Sequence, residues 1–298
     1  MDRFMPPAFV EFLQFLFSGI TSGAIYALVG LGFALIYNAS HVINFAQGEF
    51  VMLGGMLTWA LMSAGLGLPL AIGGAVALTV LVGLALEKLA IEPARDANVV
   101  TLIIITIGAG IFLRGVVSVT LGKDFHPLPS FSGDDPISVL GATIMPQSLW
   151  VLAVSALVVI ALQMFFAYTL LGKSILATSY NRMAARLMGI NVGFVLLLSF
   201  GLSALLGAMA GILIAPITAT NFEVGIILGL KGFAAAILGG LGNGLGAIVG
   251  GLTLGIIESM GAGYVSSDYK DAIAFVVILA VLFFMPSGLF GRRGTERV

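Results

Sequence analysis

Apolar residues recur in long blocks along this chain, separated by short polar stretches. The blocks run Leu16–Tyr37, Phe50–Ala64, Leu66–Leu86, Val99–Leu121, Trp150–Leu171, Val192–Ile217, Ile226–Leu241, Ala247–Met260 and Ala272–Met285. A helix needs roughly 17–25 apolar residues to cross a bilayer. The pattern therefore predicts an all-α polytopic membrane protein with about nine hydrophobic segments in a single transmembrane domain over 1–298. The shorter blocks can be broken or re-entrant helices, because non-helical backbone is tolerated at membrane depth only where protein or a cavity covers it.

Composition strengthens this picture. Hydrophobic residues make up 59% and charged residues 9%, with a mean hydropathy of +1.14, whereas soluble domains carry about 25% charge. Lipid is the implied solvent. The net charge of −1 argues against a nucleic-acid partner. Absence of cysteine excludes a thiolate metal site, and with only His41 and His126 a histidine-rich one is not expected. The opening residues, MDRFMPPAFVEF, lack the basic run and cleavage site of a signal peptide, so the first span is expected to insert the chain.

Basic residues set the orientation. Loop 87–98 holds Lys88 and Arg95, loop 172–191 holds Lys173, Arg182 and Arg186, and the tail holds Arg292, Arg293 and Arg297. All three are expected on the cytoplasmic side. Loop 122–147, with Asp124, Asp134, Asp135 and several prolines, then lies outside, and so does the N-terminus.

Glycine adds packing information. Gly19/Gly23, Gly207/Gly211, Gly246/Gly250 and Gly251/Gly255 place two small residues on one helix face, which lets backbones approach closely. The run LGGLGNGLGAIVGG (Leu238–Gly251) is too rich in glycine for one continuous helix. It predicts a break or tight hairpin.

Polar residues kept in apolar surroundings are the candidate functional positions. Asn44, Gln47 and Glu49 cluster between the first two blocks, and Arg114, Lys231 and Glu258 lie in or beside later ones. The first three can belong to a gate, or to an interfacial turn capping the next helix. Arg114 and Lys231 can also snorkel to the interface, which the shorter Glu258 does poorly. In loop 172–191, Thr178 or Ser179 is expected to cap a short helix that ends at Gly189. Arg182 and Arg186 would share one face of it, with Ala184, Leu187 and Met188 as an apolar arc suited to lipid or to a groove on a partner.

Catalytic signatures fail. Gly172–Lys173–Ser174 resembles a phosphate loop, but the glycine required at position 167 is Ala167, and neither HExxH nor GxSxG occurs. Enzyme chemistry therefore lacks its residues. A stand-alone ion-coupled secondary transporter would need an intramembrane titrating group, for which Glu258 is the candidate.

Several of these segments together resemble the permease subunits of branched-chain amino acid ABC importers, the LivH type. GITSGAIYALVGLGFALIYNASHVINFAQGEFVMLGG (Gly19–Gly55), ATSYNRMAARLMGIN (Ala177–Asn191), GLKGFAAAILGGLGNGLGAIVGG (Gly229–Gly251) and SSDYKDAIAF (Ser266–Phe275) carry the resemblance in order, and loop 122–147 carries it least. The resemblance implies a multi-pass protein of the bacterial inner membrane. It implies as partners two ABC ATPases, a second homologous permease and an extracytoplasmic substrate-binding protein. No cofactor is expected in this chain, with ATP used by the partner ATPases. The coupling segment would present Asn181, Arg182, Ala184, Arg186, Leu187, Gly189 and Asn191 to the ATPase. The candidate path residues are Asn44, Gln47, Glu49, Lys231, Asn243 and Glu258. Branched-chain or related small amino acids are the implied substrates, and related permeases serve urea and amide systems.

Overall fold

Every apolar block forms a helix. The computed structural model describes residues 6–291, in the order α1 (Pro7–Ser40), α2 (Gln47–Ser63), α3 (Leu68–Leu86) extended by a π-helical turn (Glu87–Ile91), α4 (Val99–Thr120), a hairpin of β1 (Ile137–Val139) and β2 (Ala142–Ile144), α5 (Pro146–Tyr168), α6 (Leu170–Tyr180), α7 (Arg182–Leu187), α8 (Val192–Thr218), α9 (Val224–Gly239), α10 (Gly244–Tyr264) and α11 (Lys270–Phe284). Among the described residues, α1, α3 with its π turn, α4, α5, α8 and α10 are long and apolar enough to cross a bilayer. The nine blocks are thus six full-length spans and three shorter helices, α2, α9 and α11, of 17, 16 and 15 residues. Arg3, Arg292, Arg293 and Arg297 lie outside the described residues.

Asparagine sets several helix starts by accepting an orphan backbone N–H. Asn98 caps α4 from Thr101 N, Asn181 caps α7, Asn191 caps α8 and Asn243 caps α10.

The first helix is the mast of the bundle. Its apolar window is 89% buried within the protein, against 11% for α5. The outer helices α3, α4, α5 and α11 instead expose rows of Leu, Ile, Val and Phe, the composition expected of a lipid-facing surface. Glycine lets α10 lie directly on α1. A Cβ on Gly19 or Gly23 would come within 2.8 Å of the Ile256 or Leu252 Cα, and one on Gly255 within 2.5 Å of the Gly23 Cα. No larger side chain fits at that crossing. Gly207 and Gly211 face α2 in the same way, and Gly246 and Gly250 face α9. The expected hairpin in the glycine run is the turn 240–243, where Gly240 and Gly242 adopt φ of 101° and 88°.

After α1 the chain doubles back into the bundle. Ser203 Oγ in the middle of α8 donates to Gly32 O at 2.9 Å and also touches Oε1 of Gln47, the first residue of α2. Gly32 stands eight residues before the end of α1, about 12 Å along the helix. Residues 41–46 therefore climb that distance as non-helical backbone among buried neighbours. Side chains satisfy the exposed peptide groups there: Phe45 N donates to Thr106 Oγ1 at 3.1 Å, Ala46 N to Asn44 Oδ1 at 3.1 Å, and Val42 N to Ser40 Oγ at 3.0 Å. Helix α9 meets α2 near this point. A Cβ on Gly225 would sit 2.5 Å from Gly48 O, and one on Gly229 2.9 Å from the Gly48 Cα.

Two ends can be told apart by their contacts. At one, Gln14 on α1 exchanges hydrogen bonds with Thr143 of the hairpin at 2.8 and 2.9 Å. There, too, His126 and Thr220 exchange backbone bonds at 2.8 and 2.9 Å, with the His126 ring stacked on Trp59 at 3.5 Å. At the other end, Asn38 Nδ2 donates to Gly242 O at 2.7 Å and Asn243 Nδ2 to Phe290 O at 3.3 Å.

Candidate functional site

The element expected to meet an ATPase sits at the second end. Thr178 and Ser179 do not cap it: both lie inside α6, where their hydroxyls bond back to Ser174 O and Leu176 O. Asn181 is the cap, its Oδ1 accepting from Ala184 N at 3.0 Å. The end at Gly189 follows expectation. Gly189 has φ of 82° and donates to Arg186 O, while Ile190 N donates to Ala185 O. These are the paired bonds of a Schellman stop. Asn191 then caps α8 at 3.1 Å.

The two arginines part company. Arg186 is exposed, whereas Arg182 turns inward and its Nη2 donates to Ala39 O at 2.6 Å. A cation at the carboxyl end of α1 satisfies an orphan carbonyl and complements the helix dipole. Arg182 is thereby drawn toward α1 while Arg186 stays in solvent, and the Arg186 charge still acts on Arg182 from one turn away. His41, next to this contact, is held below the usual histidine range by burial and by the Arg182 charge. On the free side, Met183, Leu187 and Met188 are 67%, 82% and 81% exposed, forming an apolar knob with Ala184 beside them.

The candidate path residues fall into separate environments. Gln47 is a staple, bonded through Nε2 to Ser203 O at 3.2 Å and touching Ser203 Oγ. Asn44 makes the turn before α2 through Oδ1, and its buried Nδ2 lacks a partner among the described residues. Asn243 caps α10, its Oδ1 accepting from Gly246 N at 3.0 Å.

Lys231 and Glu258 are brought together. Lys231 Nζ lies 2.7 Å from Glu258 Oε1, 2.7 Å from Asp271 Oδ1 and 3.2 Å from the Tyr26 hydroxyl, which donates to Glu258 Oε2 at 2.9 Å. Lys231 and Glu258 are 6% and 7% exposed. The cluster ties α1, α9, α10 and the first turn of α11 into one unit. Each oxygen of Glu258 thus accepts from one neighbouring donor, Lys231 on Oε1 and Tyr26 on Oε2.

Glu49 is paired differently. Its Oε1 accepts from Arg114 Nη2 at 2.9 Å, while Oε2, and Nε of Arg114, have no hydrogen-bond partner among the described residues. The carboxylate is 3% exposed and lines a cavity of about 180 Å³ between α1, α2, α4 and α9.

Sequence reasoning missed Tyr26, Asp271, Ser203 and Asn38. Tyr26 was visible as a polar group inside the longest apolar block, and Asp271 as an acid in the first turn of a helix. Neither residue signals its partner, because the four residues of the cluster come from four different helices, and only the packing of α1 against the last three brings them together.

The chain matches the family described as branched-chain amino acid transport system, permease component, over residues 15–282. It is 36% identical to the high-affinity branched-chain amino acid transport system permease protein LivH of Escherichia coli K12, covering 99% of this chain and 100% of that one. It is 32% identical to BraD of Pseudomonas aeruginosa over 98% of this chain and 100% of that one. A solved structure, PsaBC from Streptococcus pneumoniae in complex with Fab, shares the fold with a TM-score of 0.51 and 16% identity, covering 92% of each chain. The bundle, with its short helices, small-residue crossings and capped connecting segment, is thus an ABC-importer permease that works with ATPase and substrate-binding partners. The chain belongs to the family of branched-chain amino acid transport permeases.

Proposed function

We propose that this permease carries branched-chain amino acids across the inner membrane, paired with a second homologous permease, driven by two cytoplasmic ATPases and fed by an extracytoplasmic binding protein. It performs no chemistry and binds no cofactor of its own, since ATP is used by the ATPases. The observation that carries the ATPase assignment is α7: a helix capped at both ends whose Met183, Leu187 and Met188 point away from the protein. Such a knob suits a groove on a partner. In this reading the second end of the bundle is cytoplasmic, and loop 122–147 and the start of α1 face outside.

The mechanism follows from what α7 touches. Closure of the ATPase pair on ATP pushes α7. Arg182 passes the push to the end of α1, and Asn38 passes it on to the α9–α10 turn. The glycine faces of α1 and α10 let these helices shift as rigid bodies, which is alternating access by rocking.

The test is reconstitution of the permease pair, ATPases and binding protein in liposomes, with leucine uptake as the readout. ATP-dependent uptake that disappears when the ATPases are left out supports the reading. Uptake by this chain alone, driven by an ion gradient, would sink it.

A further inference from the structure

The Glu49–Arg114 cavity has features that a purely structural ion pair does not need. Buried polar atoms are almost always hydrogen-bonded, yet this pair uses one carboxylate oxygen and one guanidinium nitrogen. Oε2 of Glu49 and Nε of Arg114 are left buried without partners among the described residues. Small residues keep space open around the carboxylate. Gly110 presents no side chain toward Glu49 Cγ, and a Cβ on Gly225 would come 3.2 Å from Oε2. The remaining wall is apolar, formed by Phe33, Phe45, Phe233, Ile107, Ile111 and Leu230.

We propose that this cavity is a substrate-contact site on the translocation path, and that it takes a zwitterionic amino acid with a small aliphatic side chain. The inference rests on the importer reading above. The ammonium of the ligand donates to the free oxygen of Glu49, and its carboxylate accepts from Nε of Arg114. The existing Oε1–Nη2 bond stays in place. Site and ligand are each neutral overall, so a cationic or anionic amino acid would leave one buried charge unpaired, at a large energetic cost. The aliphatic side chain lies against the phenylalanine and isoleucine wall. A cavity of about 180 Å³ is of the size that holds one benzene-sized group. That admits an isobutyl or sec-butyl side chain, and the pocket opens outward past Ile107, Ile111 and Leu230, which are 43%, 61% and 47% exposed.

Both halves of the proposal are open to test in the reconstituted importer. Glu49→Gln removes the charged acceptor. Leucine uptake should fall at least about tenfold, the factor carried by one lost hydrogen bond to a charged group, while receptor-stimulated ATP hydrolysis persists. Gly110→Ala is the second variant, and it folds without strain: its new Cβ would meet Glu49 Cγ at 3.4 Å, an ordinary contact, and alanine is the better helix former. It narrows the cavity by a methyl group, so the leucine-to-valine uptake ratio should fall about tenfold, the discrimination one methylene carries. Wild-type uptake and an unchanged ratio in well-inserted Gly110→Ala would overturn the proposal, as would coupled leucine uptake in Glu49→Gln. A wild-type complex that moves no leucine would instead bring down the importer reading and this inference with it.

Discussion

Lys231→Met tests the buried cluster. The substitution keeps an unbranched stem in the same channel and removes the charge that three groups share. In its absence Glu258, 7% exposed, retains the Tyr26 hydroxyl as its one side-chain donor among the described residues, while Asp271, whose side chain is 48% exposed, can turn to water. Removing one partner of a buried pair costs about 3–5 kcal/mol because the other charge is stranded. The hydration open to Asp271 places this variant in the lower half of that range. Reversible unfolding of the purified permease in mild detergent reads the loss. The double variant Lys231→Met/Glu258→Leu leaves no charge stranded on α10, so it should be more stable than Lys231→Met alone. Non-additivity of that sign is the signature of direct coupling. A loss below about 1 kcal/mol, typical of solvent-exposed pairs, would refute the reasoning and show that water reaches the cluster.

Three further outcomes follow from the geometry. Arg182→Ala removes the side-chain hydrogen bond between α7 and the end of α1, at 2.6 Å, so receptor-stimulated ATP hydrolysis should fall while membrane insertion is unchanged; full stimulation in the inserted variant would contradict the coupling route. Asn181→Ala deletes the α7 cap, worth about 1 kcal/mol, and hydrogen exchange over residues 182–189 should accelerate with global unfolding unaltered. Gly255→Leu forces side-chain atoms into the α1 backbone, and the protein should fail to accumulate in the membrane; normal accumulation would show that α10 can stand off from α1.

The helices were legible in the sequence because each block is apolar over a length that only a buried or lipid-embedded helix satisfies. Gly189 and the glycine hairpin were legible for a similar reason: positive φ and close approach admit few residue types. The start of α7 was misplaced because threonine, serine and asparagine all cap helices. Only the fold shows that α6 runs on to Tyr180 and leaves Asn181 at the junction. Spacing put Arg182 and Arg186 on one face, but spacing carries no knowledge of the carbonyl that α1 presents. The climb of residues 41–46 into the bundle was hidden in the same way, since it depends on Ser203 of α8 meeting Gln47 and Gly32. Among the polar candidates, sequence could flag Gln47, Glu49, Lys231 and Glu258 as costly to bury. It could not separate the satisfied staple at Gln47 from the half-satisfied carboxylate at Glu49.

Absence of native cysteine makes the central claim directly measurable. Single cysteines can be introduced as Leu187→Cys on the α7 knob and Phe125→Cys at the opposite end, both at well-exposed positions. Oxidative or bifunctional cross-linking is then run in the assembled complex, with ATPases carrying a single surface thiol at the proposed groove. The account predicts that the cysteine at 187 cross-links to the ATPase and that the one at 125 does not. Cross-linking from position 125, or none from position 187 in an ATP-hydrolysing complex, would contradict it.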